Sequence, residues 1–435
     1  MKHLRAVALL CFIIYLFHIL RNLTPAYLAL LGLSLAVFFV LLIRNIDRRI
    51  QSFDIAFVYF IFAWIFSSLT TLLVSSEYGN PAIGLFRLWA AFPLALICLV
   101  LSTDSARRPA RALTIFFLLA AASFPIQYFF GQIAWFAEAS ERAGGTRFAS
   151  LAGSLTAYGV AVGVPALAGL FYFRRLQGFA IFIVLSLGAL LSLQKAALAN
   201  ILLALAFAWW LGCIPKKAIL LSTPPVALII AIFAFMQGFE NDKLETAFRY
   251  TQGILTSQSE LSYDVSFFES IVDRITVLPY EAISHYGADS LLLGVGAFGG
   301  AGALGYEDLP MAHNGLVELI LVFGYLAGGS IIVFMLFLLL KSFFLVLNRK
   351  IAANTEGGFL SASYIIWFTN YVFSGGGIFH PIGAAIFWLL VFRIRHIGRE
   401  ERRLKRMRAS LNPGVSIEAV PQFGRHDKHV FQEGI

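Results

Sequence analysis

The sequence predicts an all-α integral membrane protein of about twelve transmembrane helices, with one large outer segment before the third-last span. Three observations predict it. The 435-residue chain is 59% hydrophobic and 13% charged, about half the charge of an ordinary soluble domain. Mean hydropathy is +0.80, and the apolar residues gather in runs roughly 17 to 25 long, the length that crosses ~30 Å of hydrocarbon. Between those runs, basic connections alternate with neutral or acidic ones. In lipid every backbone polar group must be satisfied internally, so such runs are helices; the period-two pattern of barrel strands is absent.

Spans are expected at 5–21, 26–43, 54–74, 84–102, 112–130, 155–173, 179–194, 196–214, 218–236, 325–347, 358–375 and 381–395. The chain thus divides into nine helices over 1–236, an outer segment with a return helix over 237–324, three helices over 325–395, and a basic tail over 396–435 that is expected to be disordered. The basic connections are Met1–Arg5, Arg44–Arg49, Arg107–Arg111, Arg174–Arg175, Lys216–Lys217 and Arg349–Lys350, together with the tail from Arg393. By the positive-inside rule they face the cytoplasm, along with both termini. Residues 75–83, 131–146 and 237–312 face the other side, and 237–312 holds eleven carboxylates against Lys243, Arg249 and Arg274.

The net charge of +9 does not point to nucleic acid. Much of it sits in Arg399, Arg402, Arg403, Lys405, Arg406 and Arg408, just inside the last span, where it would meet anionic lipid headgroups. Cys11, Cys98 and Cys213 lie far apart in or beside apolar runs and read as small buried residues rather than a disulfide framework or thiolate metal site. Met1–Leu20 has a basic start without a small-residue cleavage site and reads as a retained span.

Chemistry is expected on the outer face. Connections as long as 237–312 are functional or separately folded. Apolar residues at helical spacing predict a helix over Ser266–Ile283. The stretch Gly294-Val-Gly-Ala-Phe-Gly-Gly-Ala-Gly either cradles phosphate or bends; with no P-loop lysine following it, the hinge is expected. His313 stands where this segment re-enters the membrane, with Asn314 as a helix cap. Its imidazole either takes a proton as a neutral base or bonds a nearby carbonyl.

Four cations share that face. Arg147 precedes a span, Lys195 occupies the tight turn between two spans, Arg274 lies in the long segment, and Arg87 sits near the outer end of the fourth span. Cations at membrane depth face a cavity or a partner more often than lipid. Arg147 and Arg274 could instead snorkel to headgroups, and Arg87 could pair with Glu77. Several cations and one histidine suit an anionic ligand; a pyrophosphate matches arginine forks and could leave without a metal.

These residues resemble the superfamily of O-antigen ligases and O-antigen polymerases, which transfer lipid-linked glycans in bacterial surface-polysaccharide synthesis. The strongest likeness is His313–Asn314 with nine residues intervening before Gly324, although Ala327 occupies a place often held by glycine, threonine or tyrosine. Asp273–Arg274 followed by Leu291-Leu-Leu-Gly-Val-Gly is similar to the family's approach to that histidine, and Arg147 before Gly153 to its earlier arginine. Lys195 falls where members commonly have serine–x–arginine; the charge is kept and the fork is lost. Motifs cover about 144–200 and 270–330, whereas the span pattern covers nearly the whole chain.

The resemblance implies a GT-C-like architecture in the bacterial inner membrane and an inverting, metal-independent transfer at the periplasmic face. It implies an undecaprenyl-pyrophosphate-linked glycan as donor and no cofactor. The acceptor is either a lipid-linked repeat unit, for a polymerase, or lipid A-core, for a ligase; polymerase is favoured. It also implies His313 as base, Arg147, Arg274, Lys195 and Arg87 on the pyrophosphate, and Glu318 with Asn314 as orienting groups. A transporter or flippase would instead show internal repeats and mid-membrane charges. A metal-dependent transferase would carry an acidic pair in the first outer loop, which here is only Arg21-Asn-Leu-Thr-Pro.

Overall fold

The computed structural model describes residues 2–17, 55–142, 145–214, 272–287, 291–300, 308–375 and 377–410, with a few single positions besides. The expected spans 26–43 and 218–236, the outer stretch 237–271 and the chain beyond 410 lie outside the described residues, as does the end of the first span.

The fold is almost entirely helical. In chain order the helices are α1 (Lys2–Leu16), α2 (Ile55–Leu73), the single turn α3 (Ser75–Tyr78), α4 (Ala82–Leu101), α5 (Arg107–Phe130), α6 (Ala157–Ala161), α7 (Gly163–Tyr172), α8 (Arg175–Leu191), α9 (Lys195–Trp210), α10 (Val277–Tyr286), α11 (Gly315–Leu347), the single turn α12 (Arg349–Ala352), α13 (Glu356–Ser374) and α14 (Pro381–Ser410). The described strands are β1 (Ser140–Arg142) and β2 (Gly145–Arg147), an antiparallel pair that places Ser140 opposite Arg147. Among the described residues, α4, α5, α11 and α14 are long and apolar enough to cross a membrane, and α1, α2, α7, α8 and α9 are shorter apolar helices.

Several elements depart from the sequence expectation. The span at 155–173 is divided, because Pro165 has no N–H to donate to the Ala161 carbonyl. The helix expected over Ser266–Ile283 is seen as α10, which carries Pro279 in its first turn, where no intrahelical donor is needed; 266–271 lie outside the described residues. The last helix does not stop near 395 but runs on to Ser410, so the first part of the basic tail is helical.

The glycine-rich stretch is not an open hinge. Residues Gly296–Gly300 form a buried 3-10 turn, and the Ala297 amide donates to Thr71 Oγ1 at 2.8 Å. Beside it, α11 breaks. Gly324 adopts φ 76° and ψ 170°, which is why a glycine is needed there. The chain then folds back, so that a methyl group on Gly328 would stand 2.5 Å from the Leu319 carbonyl oxygen. Gly294 fills the notch of this bend: a methyl there would lie 2.6 Å from the Gly324 nitrogen. The Val295 amide donates at 2.7 Å to the Leu321 carbonyl, one of those the break leaves without an intrahelical donor.

Basic side chains gather at one end of the bundle. At one end Arg393 enters between helices, with Nη2 on Glu356 Oε2 at 2.8 Å and Nη1 on the carbonyls of Ser102 (3.1 Å) and Thr103 (3.2 Å). Glu356 also accepts the Ala106 amide at the start of α5. Arg5 pairs with Asp104, Arg111 lies over Phe173, and Arg349 lies over Trp209 and Trp210. Most of the basic connections thus meet at this end. At the other end of α13, some 28 Å away at 1.5 Å per residue, lie Arg274, Glu318 and the start of α11 that follows His313.

Removing one partner of a buried ion pair strands the other. Glu356→Ala is expected to destabilise the protein by about 3–5 kcal/mol, and Glu356→Met with Arg393→Met by much less. Thermal unfolding of the detergent-solubilised variants checks both.

Candidate functional site

Two groups of polar residues are brought to the C-terminal end of α13. The first surrounds His313. This residue has φ 49°, a left-handed backbone conformation uncommon outside glycine. It precedes Asn314, whose side chain caps α11 by accepting the amides of Leu316 (3.1 Å) and Val317 (3.4 Å). The cap fixes where the helix begins and so where the imidazole leaves it. Arg274, just before α10, donates Nη1 to the Phe373 carbonyl at 2.6 Å. That carbonyl lies in the last turn of α13, where intrahelical donors have run out and a cation is favoured.

Burial first, and the Arg274 cation second, push the His313 imidazole below its ordinary range. Both disfavour the charged ring. His313 is therefore neutral at pH 7 and able to accept a proton.

Glu318, one turn into α11, is buried and turned toward the loop after α13: a methyl on Gly375 would collide with its carboxylate. The Tyr371 hydroxyl lies within its electrostatic reach. The Tyr371 ring stacks on Trp367 and packs flat against Gly315, where a methyl group would stand 2.5 Å from two ring carbons. Tyr371 thus seats the start of α11 against α13.

The second group is built on Leu155. Its carbonyl accepts Arg147 Nη2 at 3.0 Å and Gln194 Nε2 at 2.5 Å. Arg147, at the end of β2, is buried; Lys195 follows Gln194 directly and is half-buried at the start of α9. The turn between α8 and α9 is tight enough to hold Leu193 at φ 51°. Tyr128 donates its hydroxyl to the carbonyls of Thr146 (3.3 Å) and Leu191 (3.0 Å), and Gln127 Nε2 to Ala149 at 2.7 Å, which ties the Arg147 strand to α5 and α8. Arg147 and the Lys195 turn, 48 positions apart in sequence, thereby share one carbonyl.

Arg87 belongs to a third group. It lies near the Tyr306 phenol, which donates to the Asn80 carbonyl at 3.1 Å and packs on Phe298. Glu77, the alternative partner for Arg87, bonds the Tyr78 hydroxyl and, after burial, helps push that phenol up to about 12. An open groove of about 590 Å3, lined by Glu281, Ser284 and His285 of α10 and by Asp308, Leu309 and Pro310, runs beside the segment that leads to His313.

Sequence reasoning passed over Gln194, Asn200, Asn370 and Tyr371. Each is a polar side chain inside or at the edge of an apolar run, which was the available signal. No family model matches the chain, and no curated protein matches it.

Taking away the Arg274 charge is expected to raise the His313 pKa. In Arg274→Gln, a histidine-selective NMR titration should find His313 protonating at a higher pH than in the parent. An unmoved midpoint would show that Arg274 exerts no field on the imidazole.

Proposed function

We propose that this chain is a glycosyltransferase of the bacterial inner membrane that moves an undecaprenyl-pyrophosphate-linked glycan onto an acceptor hydroxyl at the periplasmic face, acting as a polymerase of surface polysaccharide. The observation that carries the reading is a histidine kept neutral beside an arginine at a helix start. On this reading the chain makes about twelve spans in a GT-C-like arrangement, with both termini in the cytoplasm. The end that holds Arg5, Arg349 and Arg393 then faces inward, and the basic face of α14 meets anionic lipid.

The acceptor oxygen attacks the anomeric carbon of the donor sugar from the side opposite the pyrophosphate. The new C–O bond forms as the bond to the pyrophosphate oxygen breaks, which inverts the anomeric centre. The acceptor proton passes to His313, and the leaving pyrophosphate keeps the electron pair. Arg274 and Arg147, with Lys195, offset the charge that develops on it; preorganised cations are most effective where water is excluded. Asn314 and Glu318 hold the start of α11, and the groove beside Asp308 gives the acceptor glycan a path to His313.

His313→Ala is expected to abolish transfer while the protein still accumulates in the membrane; transfer at the parental rate would remove the assigned base. Arg274→Lys keeps the charge and loses the fork, and should lower turnover by about 10- to 100-fold. With proton acceptance by a neutral His313, activity falls as pH drops through its lowered pKa, so the acid limb should lie below the ordinary histidine range and move upward in Arg274→Gln. Transfer in a reconstituted system should survive EDTA. The acceptor is identified by the glycan of a deletion strain: single repeats on the core mark a lost polymerase, and long lipid-linked chains mark a lost ligase.

A further inference from the structure

Between the two groups of site residues, inside the apolar body of the bundle, lies a pair of asparagines. Asn200 of α9 and Asn370 of α13 are 1% and 7% exposed. Asn200 Nδ2 donates to Asn370 Oδ1 at 2.8 Å, and Asn370 Nδ2 donates back to Asn200 Oδ1. The remaining donors are used as well: Asn200 Nδ2 also reaches the Gly159 carbonyl at 2.6 Å, and Asn370 Nδ2 the Ile366 carbonyl at 2.8 Å. Two carboxamides facing each other in this way accept one relative placement of their helices. A slide by even part of a turn would leave buried donors and acceptors unmet.

Each asparagine leads to one group. On the α13 side, Asn370 adjoins Tyr371, whose ring seats Gly315 two residues after His313, and Phe373, whose carbonyl holds Arg274. On the α9 side, the Gly159 carbonyl belongs to the residue against which the Gln194 carboxamide rests, since a methyl on Gly159 would collide with it. Gln194 in turn shares the Leu155 carbonyl with Arg147 and precedes Lys195. A continuous line of packed and hydrogen-bonded groups therefore runs from His313 to Arg147, and the amide pair is its middle.

We infer that Asn200 and Asn370 form a positioning joint that sets the spacing between the His313–Arg274 group and the Arg147–Lys195 group. The inference rests on reading the two groups as one transferase site. Neither asparagine touches substrate; the pair acts through Tyr371, Phe373 and Gln194. A base on one side and leaving-group cations on the other work together only at one separation, and a misplacement of about 1 Å can cost on the order of 100-fold in rate.

The test joins a distance to a rate. Spin labels at Thr156→Cys and Met311→Cys, on the two sides of the joint and with the three native cysteines replaced by alanine, report the separation by pulsed electron resonance on the full-length protein. The double variant Asn200→Leu, Asn370→Leu removes both amides together and strands neither; Asn200→Ala with Asn370→Ala serves if the leucine pair fails to fold. The expected result is a shifted or broadened distance and a turnover lowered about 10- to 100-fold, with the acid limb set by His313 and Arg274 unmoved. A distance like the parent's overturns the joint, whatever happens to turnover. A changed distance with parental turnover overturns its role in positioning. A parent without transfer activity, in which the distance still depends on the pair, overturns the transferase reading and leaves the joint in place.

Discussion

The end of the molecule that carries His313 depends on a single backbone contact, the Val295 amide on the Leu321 carbonyl. A helix that stops within an apolar protein exposes carbonyls that hydrocarbon cannot satisfy. At the Gly324 break, α11 meets this constraint by taking a donor from a segment 26 positions earlier in the chain. That donor reaches its acceptor only because Gly294 lets the two backbones approach without a side chain between them. The same approach holds the 3-10 turn Gly296–Gly300 against α2 and sets the short first half of α11, with His313 at its head, beside α13.

From that constraint the electrostatics follow. His313 enters the helix half-buried and under the field of Arg274, so it is uncharged where a fully solvated imidazole would be partly protonated. Arg274 in turn donates to an end-of-helix carbonyl, that of Phe373. Arg147 is treated alike, with a carbonyl of Leu155 as the partner.

Much of this was legible in the sequence, and the limits have physical causes. Hydropathy is a local property, so α2, α4, α5, α8 and α9 fall close to their expected spans. Charge placement is also local, and among the described residues Arg5, Arg111, Arg349 and Arg393 do gather at one end. The glycine stretch was misread as a hinge because glycine permits both bending and close packing, and only the surroundings decide between them. The resemblance implied Glu318 as an orienting group; the structure turns its carboxylate to Gly375, 57 positions downstream, a neighbour that sequence spacing does not reveal. Asn200 and Asn370 are each a single polar residue in an apolar run; their meaning lies in the pairing, which single-chain periodicity does not encode. The span expected across 155–173 ran straight through Pro165, whose missing N–H accompanies the division into α6 and α7.

The continuation of α14 has a mechanical consequence. Thirty residues of unbroken helix measure ~45 Å at 1.5 Å per residue, well beyond ~30 Å of hydrocarbon. Its near end, Pro381, follows the loop whose Gly375 backbone rests on the Glu318 carboxylate. A helix is stiff along its axis, so the cationic far end and that loop are joined by a rod rather than a tether. Whatever grips the arginines at one end also fixes how deeply the other end sits over the helix that carries His313.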